Sequence, residues 1–304
     1  MELAAIILKQ TLTMAIYMAI GFFLFKSGKI TKEGSKNIAA LLLWIVLPAV
    51  IVNSFCVSYS AEKLGQFFVS FLLSAAALFA AIVIARLIYK DAPIDHFAAG
   101  FSNAGFMGIP LVKASFGDEA VFFLVGFVAL LNLMQWTYGV SLLKKEKAHI
   151  RIKEVVLNPI FIGIFVGFAL FITGLGAKLP AVIRGAVSGV AGLNGPLAMI
   201  VLGVYLAQCD LKTTFTRPRL YGLSAVRLVL IPLVMLFLLL VVPIDSTIKL
   251  VILTAAAAPV GSNVAVYAQL HDADYPYACQ TVALSTVLSV VTLPLVLALG
   301  NILF

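Results

Sequence analysis

The sequence predicts an all-α, polytopic membrane protein of ten transmembrane helices, arranged as two inverted five-helix repeats in which the fourth and ninth helices are broken. Three observations predict it. Of 304 residues, 62% are hydrophobic and 11% charged, with a mean hydropathy of +1.12, and apolar runs repeatedly exceed the ~18 residues that suggest a spanning helix. Lys and Arg gather in alternate loops. Landmarks in the first half recur in the second at a near-constant offset.

The spans are expected at about 3–25, 37–57, 66–88, 97–115, 120–143, 158–175, 186–208, 220–242, 248–268 and 277–303. The first has no basic leader and reads as a mature span. The second is kinked by Pro48, and the seventh is broken at Gly195-Pro196. Lys9 in the first and Arg227 in the eighth are expected to snorkel to the headgroups. Arg227 lies about 10 Å deep at about 1.5 Å per residue, and its other role is to pair with an anionic substrate.

With the N-terminus outside, the inner loops hold Lys26, Lys29, Lys32, Lys36, Arg86, Lys90, Lys144, Lys145, Lys147, Arg151, Lys153, Lys212, Arg217 and Arg219. The outer loops hold only Lys63, Lys113, Lys178, Arg184 and Lys249. The positive-inside rule then places both termini on the extracytoplasmic side of the cell (inner) membrane. The formal charge of +8 is accounted for by these loops, so no nucleic-acid partner is expected. The longest basic segment, 144–154, reads as a loop lying against anionic lipid headgroups. Cys56, Cys209 and Cys279 show no paired spacing, so neither a disulfide framework nor a zinc site is expected.

Gly21-Phe-Phe-Leu-Phe-Lys-Ser-Gly28 reappears as Gly167-Phe-Ala-Leu-Phe-Ile-Thr-Gly174, an offset of 146; Pro48 matches Pro196 and Pro110 matches Pro259, at 148 and 149. Each half holds five spans, and because five is odd the second half enters the membrane upside down. The divisions are 1–143 (first repeat), 144–157 (basic loop) and 158–304 (second repeat).

Two spans are interrupted near their middles, at Phe101-Ser-Asn-Ala-Gly-Phe-Met-Gly-Ile-Pro110 and Ala258-Pro-Val-Gly-Ser-Asn-Val-Ala-Val-Tyr267. Non-helical backbone persists at membrane depth only where it is buried in protein or lines a water-filled cavity. Broken helices at corresponding places in two halves point to a transporter's binding site. Pro110 and Pro259 are expected where each second half-helix begins, since that amide is unpaired anyway. The half-helix N-termini then approach the midplane from opposite sides with roughly half a positive charge each, which favours an anion. The first halves leave carbonyls suited to a cation.

Asn103 and Asn263 lead the candidates for substrate binding: a neutral amide donates to a carboxylate without carrying charge through the membrane, with helix adhesion as the alternative. Gly105, Gly108 and Gly261 admit substrate to the backbone or serve close packing. Ser262 donates a hydrogen bond or caps the second half-helix. Asn53, Gln135, Asn194 and Arg227 are weaker candidates, and Tyr267 reads as packing. No Asp or Glu falls inside an expected span, and His96, His149 and His271 fall in loops, so a proton relay lacks members. No cofactor or metal is expected. Na+ held by carbonyls, Asn and Ser, H+ coupling, and uncoupled movement of the anion stay open. Intramembrane proteolysis needs a His-x-x-x-His motif or an aspartate pair in the spans, and neither occurs there.

Asn103-Ala-Gly-Phe-Met-Gly-Ile-Pro-Leu111, followed by Phe116-Gly-Asp-Glu119, resembles the fourth helix of the auxin efflux carrier family. That family includes plant PIN proteins and bacterial carriers labelled malate or malonate permeases. Ala257-Ala-Pro-Val-Gly-Ser-Asn263 and Thr292-Leu-Pro294 resemble the ninth and tenth helices of its bacterial branch. The resemblance implies a scaffold and a transport domain, crossover helices 4 and 9 at the substrate site, an elevator-like movement, and distant kinship with bile-acid/sodium symporters. A homodimer through the scaffold is expected. Plant members carry Pro where this chain has Ser102, and they insert a long loop between spans 5 and 6. A mono- or dicarboxylate therefore fits better than an auxin-like aromatic acid. The rival readings are a sodium-coupled, bile-acid-like symporter and a non-transporting sensor, which would ordinarily carry a soluble output domain.

Overall fold

A computed structural model describes residues 2–144 and 157–304. Apart from Lys144, the basic segment 144–154 lies outside the described residues. Those residues form α1 (Glu2–Lys26), α2 (Lys32–Ser54), α3 (Ala61–Ile88), α4 (Pro93–Gly100), α5 (Ala104–Phe116), α6 (Asp118–Leu143) and α7 (Pro159–Ile172). They continue with α8 (Ala181–Gln208), α9 (Leu211–Thr216), α10 (Pro218–Leu240), α11 (Ser246–Ala257), α12 (Asn263–Leu270) and α13 (Tyr275–Leu303). The described residues contain no strand, only an isolated antiparallel bridge between Ser102 and Val260.

Among the described residues seven helices, α1, α2, α3, α6, α8, α10 and α13, are long and apolar enough to cross a membrane. The other three expected spans are represented by shorter apolar pieces, α5, α7 and α11. Two are short because the chain leaves the helix at residues 101–103 and 258–262. The third, α7, has only 14 residues.

Three of the prolines that sit inside helices are accommodated by the same device. Pro48, Pro110 and Pro232 each follow a five-residue π-helical stretch, Leu42–Val46, Ala104–Gly108 and Val226–Leu230, and occupy the second position of the α-helix after it. A proline lacks an N–H, and its ring presses on the carbonyl four residues back. The wider π turn moves that carbonyl aside and lets the helix continue. Pro110 therefore stands inside α5 and not at its start, contrary to expectation. Pro259 lies in the extended break ahead of α12. The interruption in α8 falls at Leu193, before Gly195-Pro196.

Small residues set the closest crossings. A Cβ on Gly21 would stand 2.0 Å from the Ile200 carbonyl oxygen, and one on Gly203 would stand 2.0 Å from that of Met18. The backbones of α1 and α8 are thus in direct contact. α7 approaches α2 likewise, with Gly163 against the Pro48 backbone and Gly167 against the Phe55 ring. Lipid provides no hydrophobic drive between helices, so association rests on close packing of this kind. The broken segments α4, α5, α11 and α12 gather with α6 and α13, flanked by α3 and α10. Phe23, Phe79, Leu87 and Val182 are exposed on the outside, where lipid would cover them.

Side-chain contacts sort the helix ends into two sets. At one end Lys32 stacks on Tyr275, the Tyr275 hydroxyl donates to Gln208, and Arg219 pairs with Asp95. At the other, Lys63 pairs with Glu119 at 3.2 Å and Lys113 with Asp118 at 2.7 Å. The exposed pairs contribute little energy, but they show which loops are neighbours.

The Gly21 crossing makes a prediction. Gly28, at φ +72°, has nothing within 4 Å of an added Cβ, so Gly28→Ala costs about 1–2 kcal/mol in backbone strain alone. Gly21→Ala forces two backbones apart, an overpacking cost of about 1–3 kcal/mol or more. Tryptophan fluorescence during heating should show the larger fall in melting temperature for Gly21→Ala; the reverse order contradicts the crossing.

Candidate functional site

The two breaks lie side by side and complete each other's backbone. The Asn103 amide donates to the Pro259 carbonyl at 2.8 Å, and the Gly261 amide to the Phe101 carbonyl at 3.0 Å. The Val260 amide donates to the Ser285 hydroxyl at 3.2 Å. An unpaired peptide group in hydrocarbon-like surroundings would cost on the order of several kcal/mol. Gly261 permits the approach, since a Cβ there would come 2.9 Å from the Ser102 carbonyl oxygen.

Carbonyls at the ends of α4 and α11 are taken by Arg227. Its Nε donates to Ala258 at 3.1 Å, one Nη to Ala99 at 3.0 Å, and the other Nη to Ala256. The side chain is 1% exposed. Arg227 therefore does not snorkel, and its bound N–H groups face peptide oxygens, not the cleft.

The cleft between the breaks is lined by Ser102, Asn103, Gly105, Asn132, Gln135, Gly261, Ser262 and Asn263, with Leu43, Leu47, Phe106 and Leu131. The Asn263 amide nitrogen donates to the Gln135 side-chain oxygen at 2.7 Å. The Asn103 amide nitrogen and the Ser102 hydroxyl are buried without a partner. Buried polar groups left unpaired in a native protein call for an explanation, and a polar ligand is one. The cleft's volume is about 20 Å³, room for about one water molecule. Past Asn132 and Asn263 it meets a cavity of about 580 Å³ walled by Leu43, Trp44, Trp136, Ile160, Val266 and Tyr267. The cavity also touches the start of α7 at Leu157–Pro159 and the end of α12 at Leu270, and no charged side chain lines it among the described residues.

Other expected site residues fall elsewhere. Gly108 packs against Ala104 and Leu124, and Pro110 against Gly195. Pro259 contributes its carbonyl oxygen to the pairing. Ser262 makes no capping hydrogen bond to α12. The Asn194 amide donates to the Gly105 carbonyl at 3.1 Å and ties α8 to α5. Asn53 lies in a separate cavity beside Asp118 and Glu119. Sequence reasoning missed Asn132, although a polar residue three before Gln135 on one helix shares its face. It also missed Ser285, which has no local signature.

One acidic residue just ahead of the expected fourth span is nonetheless buried, Asp95 in the first turn of α4. Helix α4 starts at Pro93, earlier than hydropathy suggests, and carries Asp95 and His96 into the protein. Asp95 is fully buried, accepting from Arg219 Nε at 2.7 Å and from the Tyr277 hydroxyl at 2.6 Å. His96 lies 3.2 Å from the Tyr138 hydroxyl. Neither lines the cleft. No cluster of three His, Cys, Asp or Glu suited to a metal occurs among the described residues. Cys209, just past the end of α8, donates its thiol to the Tyr205 carbonyl at 3.3 Å, and the Cys279 thiol of α13, far away in sequence, lies beside it.

Interrupted apolar helices joined over a buried, partly unpaired polar cleft define a membrane transporter. A family model described as "Membrane transport protein" matches residues 6–297, and the chain belongs to this family, the auxin efflux carriers. It is 24% identical over 305 residues to an uncharacterized transporter of Methanothermobacter thermautotrophicus, covering 94% of this chain and 96% of that one. It is 22% identical over 301 residues to the uncharacterized transporter MJ1031 of Methanocaldococcus jannaschii, covering 93% and 96%. The protein is a multi-pass membrane transporter and not an enzyme.

The amide pair across the cleft can be tested by a double-mutant cycle. Gln135→Leu leaves the part-buried Asn263 amide without its partner, a cost of about 1 kcal/mol. Adding Asn263→Leu should restore part of the lost melting temperature, because removing both partners is cheaper than removing one. Strictly additive losses would show that the two amides do not depend on each other.

Proposed function

We propose that this protein moves a small organic anion, a monocarboxylate with an apolar body, by elevator-type alternating access. The observation that carries the reading is the buried, unpartnered amide of Asn103, set between two helix breaks at the edge of an apolar cavity. In this reading α4 with α5 is the fourth of ten spans, α11 with α12 is the ninth, and they cross at the cleft. The N-termini of α5 and α12 add positive dipole ends. The cleft is too small for a carboxylate as it stands, so substrate enters by parting Asn263 from Gln135 and takes the freed amide together with that of Asn103. The cavity accommodates the rest of the molecule. A second carboxylate would find no cation there among the described residues, and desolvating it is expensive.

An inverted repeat is supported by equivalent features 146 residues apart. Gly28 and Gly174 both follow a helix end in the left-handed region, at φ 72° and 68°. Gly21 packs α1 on α8, and Gly167 packs α7 on α2. These four helices form the scaffold in this reading, and the surface for a second copy. The cavity touches the same end of the molecule as Lys32 and Tyr275. By the positive-inside rule that end is cytoplasmic, so the conformer faces inward. A sodium-coupled symporter for a bulkier anion is the alternative.

Thermal unfolding with mono- and dicarboxylates, with and without Na+, tests the reading. A monocarboxylate at 100 times its Kd stabilises by about 2.7 kcal/mol. Asn103→Ala, which removes no side-chain hydrogen bond, should keep the parent's melting temperature and lose that shift, and Asn263→Ala should also lose it. Variants that bind as the parent does would sink the crossover site.

A second test concerns movement. Oxidising Cys209 and Cys279 with copper phenanthroline removes two electrons and two protons and joins α8 to α13. Transport in proteoliposomes should stop, recover with dithiothreitol, and be insensitive in Cys209→Ser. Undiminished transport by the cross-linked protein would rule out sliding between these helices.

A further inference from the structure

We infer that Arg227 is the resident cation of this site: it occupies the carbonyl ends of both broken helices, where a coupling metal ion would otherwise bind, and makes anion binding independent of Na+. The inference rests on the anion site proposed above and adds the source of its positive charge. Helices α4 and α11 both end at the breaks, each with roughly half a negative charge on its last carbonyls. The guanidinium donates to Ala99 from α4, and to Ala256 and Ala258 from α11 and its end. One planar group thereby bridges two helix ends that belong to opposite halves of the chain.

Among the described residues no carboxylate pairs with Arg227, and the side chain is 1% exposed. A charge buried without a carboxylate partner is costly, and ionisable groups at this depth mark function by default. Two balancing charges remain: the helix ends, and an anion in the cleft. The pairing places them in line. Arg227 holds Ala258, and the next residue, Pro259, accepts the Asn103 amide at 2.8 Å. The guanidinium thus sits behind the wall that carries Asn103. A metal ion needs oxygen lone pairs, and three of those facing this position already receive N–H groups. Arg is also permanently charged, so the cation neither leaves nor titrates during transport.

Chemical rescue provides the test. The parent's melting temperature and its monocarboxylate-induced shift should be the same in Na+, K+ and N-methylglucamine. Arg227→Ala should melt earlier and bind the monocarboxylate roughly tenfold more weakly, the order expected of one unit charge about 10 Å away at an effective dielectric of about 20. Low-millimolar methylguanidinium should restore both properties in Arg227→Ala and leave the parent unchanged. Arg227→Lys, which keeps the charge but not the fork, should retain part of each in case the alanine variant fails to fold. The inference is overturned if the parent needs Na+ to bind, if Arg227→Ala binds as the parent does, or if methylguanidinium restores nothing. Should no carboxylate shift the parent at all, the anion reading fails, while methylguanidinium rescue of Arg227→Ala stability still reads out the resident cation separately.

Discussion

Peptide groups that leave the helical ladder inside a membrane have to find partners, and here the two interrupted segments find each other. The two amide-to-carbonyl bonds between residues 101–103 and 259–261 hold together four helix ends that would otherwise expose bare backbone. Ser285 accepts one more amide, and Arg227 takes the Ala99, Ala256 and Ala258 carbonyls. Once those groups are satisfied, the Asn103 amide nitrogen and the Ser102 hydroxyl are free of structural duty. Asn103 and Ser102 keep polar atoms without partners because the backbone beside them is already paired.

The rest of the architecture supports this arrangement by allowing irregular backbone where lipid would forbid it. Each of three internal prolines is preceded by a π turn that removes the clash its ring would cause. One of those turns, Ala104–Gly108, lies directly after the first break, and another, Val226–Leu230, contains Arg227. Glycines do the corresponding work between helices, and the contacts of Gly21 and Gly203 bring α1 and α8 to backbone distance.

Much of the fold was legible in the sequence, because hydropathy reports helices and the Gly, Pro and Asn clusters report breaks. Hydropathy does not report where a helix begins when proline sets the start, so Asp95 and His96 were read as loop residues and not as part of α4. Nor does it show how a break shortens its span, which is why the expected fourth and ninth spans appear among the described residues as shorter pieces. The candidate site was legible in part. Asn103, Gly105, Gly261, Ser262 and Asn263 are local features of the breaks, and the structure gathers them around one cleft. The partner of Asn263 lies 128 residues away, as does one acceptor of Arg227. No local pattern encodes such pairings, and the Arg227 side chain reads from sequence as an ordinary snorkelling cation.

The central claim, a carboxylate held at the paired breaks with its body in the cavity beyond, is tested most directly by locating a bound ligand. A structure determined with a bromine-labelled aliphatic monocarboxylate should place the carboxylate within hydrogen-bonding distance of the Asn103 amide nitrogen. The bromine should lie in the cavity against Trp136 and Tyr267. Ligand found in the separate cavity beside Asn53, or a carboxylate paired with Arg227 itself, would contradict the account.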